Sequence, residues 1–229
     1  MESLIGKVAI VTGAGRGIGK AIAKAYAKEG AIVVCIARSS NEIREVSRNI
    51  QSEGGTAHWV TADVIDFDAL ERIMKETYEL YGSIDQLIVN AGIDVSLENV
   101  EESSIEAWGT IMNVNLNGAY YTVRSVLPYM KKCDVGKIII IGSELGHEGM
   151  AGKAAYCCSK AGLWMLTKVL AKELYESNIC VNELIPGRVR TTIGYEKDEE
   201  VDYSGVDPFA WVKDCLLYTS DAADEVSPV

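Results

Sequence analysis

A glycine-rich turn, Val11-Thr12-Gly13-Ala14-Gly15-Arg16-Gly17-Ile18-Gly19, lies between an apolar run and an amphipathic helical pattern. Gly13 suits the positive φ of a tight turn, Gly17 lets the backbone approach a pyrophosphate, and Gly19 lets the helix pack closely against the strand. The N-terminal amides of the helix would then face the ligand. The spacing is T-G-x-x-x-G-x-G, because G-x-G-x-x-G fails from either possible start. Such a turn also occurs without a ligand, so it predicts a phosphate cradle only in combination with other motifs.

Short apolar runs alternate with helical patterns along the chain, in the order expected of β-α-β units. Ser39 with Glu42 offers a capping box for the second helix, and Gly30 and Gly54 stand where helices should end. Right-handed crossovers then give an α/β fold, a doubly wound parallel sheet in a single Rossmann-type domain with ligands at the carboxyl ends of the strands. The predicted strands cover residues 8–11, 32–36, 57–61, 87–89, 137–141 and 180–185, and the predicted helices lie near 17–29, 41–53, 67–81, 104–132 and 155–176.

Composition excludes several classes of protein. The 229 residues, 48% of them hydrophobic, fit one α/β domain with a large core. The net charge of −11 argues against nucleic-acid partners and anionic membrane surfaces, because both bind clustered lysines and arginines. The N-terminal sequence shows neither a signal peptide nor an apolar span. The six cysteines include no C-x-x-C and no metal-ligand spacing, so we expect a cytoplasmic protein with reduced thiols and no metal.

The end of the second predicted strand, Cys35-Ile36-Ala37-Arg38-Ser39, bears on the choice of dinucleotide. An Asp or Glu about 20 residues beyond the glycines would bind the ribose 2′-hydroxyl of NAD, and none stands here. Arg38 follows the strand and Arg16 lies in the glycine turn, and two guanidinium groups can hold a 2′-phosphate by paired hydrogen bonds. The alternative is that both arginines are solvated. The pattern favours NADP(H) over NAD(H).

Three further residues predict the chemistry of the site. Ser143 ends the fifth predicted strand, and Tyr156 and Lys160 lie one helical turn apart on the following helix, where positions i and i+4 share a face. An ammonium close to a phenol favours the phenolate and should lower the pKa of Tyr156 toward the working range. A serine hydroxyl beside it can hydrogen-bond the oxygen that gains or loses the proton. A Y-x-x-x-K pair is common by chance, so it does not indicate a catalytic site by itself. It does so here because Ser143 and the glycine turn occur in the same chain.

These motifs together resemble the classical short-chain dehydrogenase/reductase family over residues 6 to about 192. The resemblance implies that Tyr156 is the general acid/base, that Lys160 tunes it and binds the nicotinamide ribose, and that Ser143 polarises the carbonyl. It also implies that Asn115 supports a water relay to the lysine, with Asn113 as the alternative. The resemblance places the cofactor against Gly13, Arg16, Gly17, Ile18, Gly19, Arg38, Ser39, Asp63, Val64, Asn90, Ala91, Gly92, Tyr156, Lys160, Pro186, Gly187, Val189 and Thr191.

Within the family, the arginine-bearing glycine turn and the segment Ile140-Ile141-Gly142-Ser143 are similar to the 3-oxoacyl-(acyl carrier protein) reductase type, which acts in fatty acid biosynthesis. This implies an acyl-thioester or other small-molecule substrate. Sugar, steroid and polyol dehydrogenases share the pattern, and a non-catalytic dinucleotide-binding protein is the alternative from another class. Glu144 and His147 would be polar groups near an acyl chain, and we expect them to face solvent instead.

The C-terminal end of the chain departs from the family pattern. Residues 1–187 are predicted to form the dinucleotide-binding and catalytic domain, and residues 188–214 the substrate lid of the same domain. Residues 215–229 begin CLLYTSDAADE, which looks like a translated sequencing adapter, so we expect a non-native tail. The family resemblance implies a homodimer or homotetramer for the natural parent.

Overall fold

Six parallel strands form one sheet in the computed structural model, which describes residues 3–94 and 97–187. The strand order β3-β2-β1-β4-β5-β6 reverses direction beside β1, which is the doubly wound Rossmann arrangement predicted above. Each predicted strand is found within one residue of its expected bounds. The strands are β1 (Val8–Thr12), β2 (Ile32–Ala37), β3 (Thr56–Thr61), β4 (Gln86–Val89), β5 (Gly136–Ile141) and β6 (Ile179–Leu184).

Helices cover both faces of this sheet. Apolar side chains of α3, α5 and α6 pack on one face, and those of α1 and α2 pack on the other. No helix within the described ranges combines the length and the apolar composition needed to cross a bilayer. The helices are α1 (Gly17–Lys28), α2 (Ser40–Ser52), α3 (Phe67–Tyr81), α4 (Ile105–Met112), α5 (Gly118–Met130) and α6 (Ala154–Glu173), with short 3₁₀ turns at Glu144–Gly146 and Tyr175–Ser177.

The helix boundaries confirm some local predictions and correct two. Gly30 and Gly54 follow α1 and α2 with φ of 90° and 89°, as helix-ending glycines do. The capping box is wrong, because Ser39 precedes α2 without making a side-chain capping hydrogen bond. The single helix predicted for 104–132 is also wrong, since the π-helical turn Asn113–Asn117 separates α4 from α5.

Residues 188–229 lie outside the described residues, as do 1–2 and 95–96. The predicted lid, the predicted tail, Val189 and Thr191 therefore have no structural description. The carboxyl ends of β1, β4 and β5 meet at one edge of the described sheet, and the predicted motifs follow these three ends.

Candidate active site

A cavity of about 730 Å³ opens at the carboxyl ends of the strands, where a doubly wound fold binds its ligand. Most of the predicted site residues are brought together on its wall. Gly19 and Asn115 are not among the lining residues, and they support the wall from behind. The predicted residues that line the cavity are Gly13, Arg16, Gly17, Ile18, Arg38, Ser39, Asp63, Val64, Asn90, Ala91, Gly92, Ser143, Tyr156, Lys160, Pro186 and Gly187.

The glycine turn has the backbone geometry predicted from its sequence. Gly13 and Gly17 have φ of 65° and 54°, a region in which residues with side chains are strained. A Cβ on Gly13 would lie 2.8 Å from the Asn90 amide nitrogen, and one on Gly19 would overlap the Gly13 carbonyl. Because side chains here would collide with the backbone, the turn keeps an open cradle that fits a pyrophosphate at the N-terminus of α1.

Thr12 and Asn90 fasten this turn to the end of β4. The Thr12 hydroxyl accepts hydrogen bonds from the backbone N–H groups of Asn90 and Ala91, at 3.0 and 3.2 Å. The Asn90 amide donates to the carbonyl oxygens of Thr12 and Gly13, at 2.9 and 3.2 Å. These bonds hold the segment Asn90-Ala91-Gly92 directly beside the glycine turn.

Charged side chains surround the end of β2, where the adenosine ribose of a dinucleotide would lie. Arg38 is 59% exposed, and its guanidinium lies 3.7 Å from the Asp63 carboxylate. The Glu42 carboxylate also lies in the cavity wall, 3.2 Å from where a Cβ on Gly15 would stand. Sequence reasoning considered Glu42 only for capping and missed this position, which depends on how α2 packs beside the glycine turn. The cavity wall at the end of β2 therefore contains carboxylates as well as Arg16 and Arg38.

Tyr156 and Ser143 both line the cavity, close enough for the serine hydroxyl to influence the pKa of the tyrosine. Burial raises the pKa of Tyr156, and the hydrogen bond to Ser143 acts in the opposite direction. The predicted lowering of this pKa is thus wrong, because loss of hydration outweighs the effect of Ser143 and the Asp94 charge raises the pKa further. Tyr156 is a protonated hydroxyl at neutral pH.

Lys160 is buried one turn further along α6, with only 5% of its surface exposed. Its Nζ lies 5.7 Å from the centre of the Tyr156 ring and donates a 2.8 Å hydrogen bond to the Ile141 carbonyl oxygen. Burial lowers the pKa of Lys160 to about 8, and the nearby Glu183 charge opposes this effect. The side chain therefore carries most of its charge at neutral pH.

Asn115 lies inside the π-helical turn and is fully buried. Its amide exchanges two hydrogen bonds with the backbone of Ile93, at 2.8 and 2.9 Å, and donates a third to the Ser159 hydroxyl at 3.0 Å. It thereby ties the segment after β4 to α6 beside Lys160. Asn113 instead accepts a hydrogen bond from Asn117 on an exposed surface, so the structure favours Asn115 over Asn113 for a supporting role.

An ion pair that sequence reasoning missed lies beside Tyr156. Lys153 and Asp94 form a 2.8 Å salt bridge with side chains only 13% and 6% exposed, and both line the cavity. The second carboxylate oxygen of Asp94 is buried without a hydrogen-bond partner among the described residues. Glu144 is exposed to solvent as expected, and it also lines the cavity. No spacing signal links residues 94 and 153, which come together only through the fold.

Comparisons with known proteins agree with this geometry. The family model for short chain dehydrogenase matches residues 7–202. A 3-oxoacyl-(acyl-carrier-protein) reductase from Synechocystis sp. is 39% identical over 194 residues, which cover 83% of this chain and 77% of that protein. The reductase of the same name, FabG, from Thermotoga maritima is 37% identical over 190 residues, covering 82% and 76%.

The fold comparison leads to the same group of proteins. A dehydrogenase/reductase from Sinorhizobium meliloti has a TM-score of 0.80 and 38% sequence identity to this chain, covering 86% of this chain and 78% of its own. With a family match over most of its length and a six-stranded doubly wound sheet, the chain belongs to the short-chain dehydrogenase/reductase family of nicotinamide-dependent oxidoreductases.

Proposed function

We propose that the protein transfers a hydride between NADP(H) and a carbonyl or secondary alcohol, and that its substrate is a 3-oxoacyl thioester. The observation that carries the proposal is the placement of Ser143, Tyr156 and Lys160 on the wall of the same cavity that contains the glycine cradle. A protein that only binds a dinucleotide has no need of a proton donor at this place. The names of the two bacterial relatives support the thioester substrate.

The chain's own residues account for the proton chemistry. A bound nicotinamide would supply or accept the hydride. In reduction, Ser143 hydrogen-bonds the substrate oxygen and Tyr156 donates its proton to it. The ammonium of Lys160 then stabilises the phenolate that forms. At neutral pH Tyr156 is protonated and can donate the proton that reduction of a carbonyl needs.

The buried pair of Asp94 and Lys153 favours a second candidate, a sugar, polyol or other polar secondary-alcohol dehydrogenase. Charged groups next to Tyr156 suit hydroxyl-bearing substrates, since an apolar acyl chain would leave the second carboxylate oxygen of Asp94 without a hydrogen-bond partner. Either substrate would exchange its hydride with the nicotinamide and its proton with Tyr156, so Ser143, Tyr156 and Lys160 would have the same roles for both. The two candidates differ in the part of the substrate that would contact Asp94 and Lys153: hydroxyl groups in a sugar or polyol, and an acyl chain in a thioester.

A panel of substrates distinguishes the candidates. Short- and long-chain 3-oxoacyl thioesters, sugars, polyols and hydroxysteroids are assayed with NADPH and NADH by nicotinamide absorbance. We expect the highest kcat/KM with a 3-oxoacyl thioester and NADPH. Preferential turnover of a polyol or sugar would establish the second candidate, and absence of turnover with every substrate would contradict both.

Replacing Arg38 tests the cofactor preference. Arg38→Asp removes a partner of the 2′-phosphate and adds an acceptor for a 2′-hydroxyl, so we expect preference to move toward NAD(H) by about 1 to 3 kcal/mol. The measurement is the ratio of kcat/KM for NADPH and NADH. Arg48→Asp, an exposed change on α2 with the same effect on net charge, is the control. A ratio that moves equally in both variants would show that Arg38 does not contact the 2′-phosphate.

Replacing Lys153 tests what the buried pair contacts. Lys153→Met leaves Asp94 charged without its partner, so the free energy of unfolding should fall by about 3 to 5 kcal/mol. If the substrate is polar, KM should also rise at least about tenfold, whereas an acyl thioester should be affected little. Denaturant unfolding and substrate titrations measure the two effects. Lys131→Met, an exposed change at the end of α5, should alter neither.

A further inference from the structure

Glu183 is a carboxylate in an otherwise apolar layer of the molecule. It pairs with Ile140 in the register of β5 and β6, and its side chain is only 7% exposed. Side chains two residues apart on a strand share a face, and Val181 belongs to the core that packs against α6. Glu183 therefore lies between β6 and the helix that carries Tyr156 and Lys160, outside the residues that line the cavity.

Gly142 makes room for this carboxylate. A Cβ built on Gly142 would overlap the carboxyl group of Glu183, so the carboxylate occupies the space that a side chain at position 142 would fill. Gly142 separates Ile141, whose carbonyl accepts the hydrogen bond from Lys160, from Ser143. The negative charge is thus placed against the backbone that holds Lys160.

His147 orients the carboxylate from the opposite side. Its Nε2 lies 3.1 Å from one oxygen of Glu183, and its ring packs on Trp164 of α6 with centroids 5.0 Å apart. His147 is exposed to solvent as expected, and its ring also contacts Glu183 and Trp164. The other oxygen of Glu183 is buried and has no hydrogen-bond partner within the part of the chain that is described. A buried carboxylate with one free oxygen is costly unless positive charge lies nearby.

Two titratable groups within the described residues interact with Glu183. They are His147 from the segment after β5 and Lys160 from α6, while Gly142, which directly follows β5, has no side chain to titrate. Burial raises the pKa of Glu183, and the hydrogen bond to His147 and the charges of His147 and Lys160 oppose this. In return, the Glu183 charge raises the pKa of Lys160 against the effect of burial. Lys160 forms no salt bridge within 4 Å among the described residues. The negative charge that partly offsets the cost of burying its ammonium group is therefore that of Glu183, which lies next to the carboxyl end of β5.

We propose that Glu183 is a positioning residue, whose carboxylate, oriented by His147, keeps Lys160 in its ammonium form beneath Tyr156. The inference rests on the proposed function only for its kinetic readout. The electrostatic effect exists in the folded protein whether or not a substrate has been identified.

The test removes the charge and keeps the shape. In Glu183→Gln, the pKa of Lys160 should fall by about half to one pH unit, because the charge that favours the ammonium is gone. An NMR titration of isotope-labelled lysine side chains measures it, with the Lys160 signal assigned by its loss in Lys160→Arg. Glu173→Gln, an exposed change about 20 Å further along α6, removes the same charge and should leave Lys160 unchanged.

The pH dependence of kcat/KM gives a second measurement, and it should not change if Glu183 has only a structural role. The alkaline limb of the kcat/KM profile should move to lower pH in Glu183→Gln and stay in place in Glu173→Gln. An unchanged pKa of Lys160 in folded Glu183→Gln protein would overturn the proposal. If that variant does not fold, His147→Phe decides the question, because it keeps a ring on Trp164 and releases the carboxylate. A downward change of the Lys160 pKa supports the proposal there, and no change rejects it.

The NMR result separates this inference from the proposed function. If no carbonyl substrate is turned over, the proposed function fails, while the titration of Lys160 still answers the question about Glu183. If turnover is found but the titration is the same in both glutamate variants, only the inference about Glu183 fails.

Discussion

Tyr156→Phe is expected to lower turnover by at least about a hundredfold while leaving the affinity for NADPH within a few-fold. The substitution removes only the hydroxyl group, and the ring still packs against the Lys160 side chain. Proton transfer to the substrate oxygen then has no donor, whereas the glycine cradle is untouched. Steady-state kinetics measure the first effect, and a fluorescence titration with NADPH measures the second.

The matched control is Tyr175→Phe, which removes the hydroxyl of a tyrosine that is 72% exposed beyond the end of α6. It should leave both turnover and affinity unchanged. Substantial residual turnover in Tyr156→Phe would reject Tyr156 as the general acid/base. Intact NADPH binding in a wild-type protein that turns over none of the panel would support the non-catalytic alternative instead.

Lys160→Met should remove a pH dependence from the stability of the folded chain. The pKa of Lys160 is about 8 in the folded state against an ordinary value of 10.5, so the unfolded chain binds more protons between these values. The free energy of unfolding of the wild type should therefore rise as pH increases from about 8 to 10.5, relative to the variant. The difference between the two pKa values corresponds to about 3 kcal/mol.

Urea unfolding of both proteins across this pH range measures the effect, since contributions from other titrating groups cancel in the difference. The lost hydrogen bond to Ile141 changes the absolute stability of the variant and leaves the slope unaffected. Lys172→Met, an exposed change on the same helix, should keep the wild-type pH dependence. Parallel stability curves for wild type and Lys160→Met would show that Lys160 titrates at its ordinary value when folded. Turnover by Lys160→Met should be lost together with the stabilisation of the phenolate.

The strands could be predicted closely because their signal is local. Parallel strands that are covered on both faces appear as short apolar runs, and the sequence between them carries the helical period. The conformation of Gly13 was predictable for a similar reason, since a tight turn after a strand requires a positive φ that glycine adopts without strain. The pairing of Tyr156 with Lys160 follows from the helical repeat alone.

The interruption between α4 and α5 has a cause that lies elsewhere in the chain. Asn115 bonds to Ile93 and Ser159, 22 and 44 residues away, at the place where the π-helical turn departs from the regular helix. The pattern of apolar residues along 104–132 does not indicate these distant hydrogen-bond partners, so the π-helical turn could not be predicted from it. The same holds for Asp94 with Lys153, separated by 59 residues, and for His147 with Glu183, separated by 36.

By itself, the sequence determined the sheet, the phosphate cradle and the three residues proposed for proton transfer, because each depends on spacing within one element or on strand ends that a parallel sheet must bring together. Only the tertiary structure decided the electrostatics of the site. Whether burial or a neighbouring charge controls Tyr156, and which carboxylate lies behind Lys160, depends on side chains from separate elements and on the water they exclude. Hydration and Coulomb energies depend on distances between groups in space, and the separation of residues along the sequence does not determine those distances.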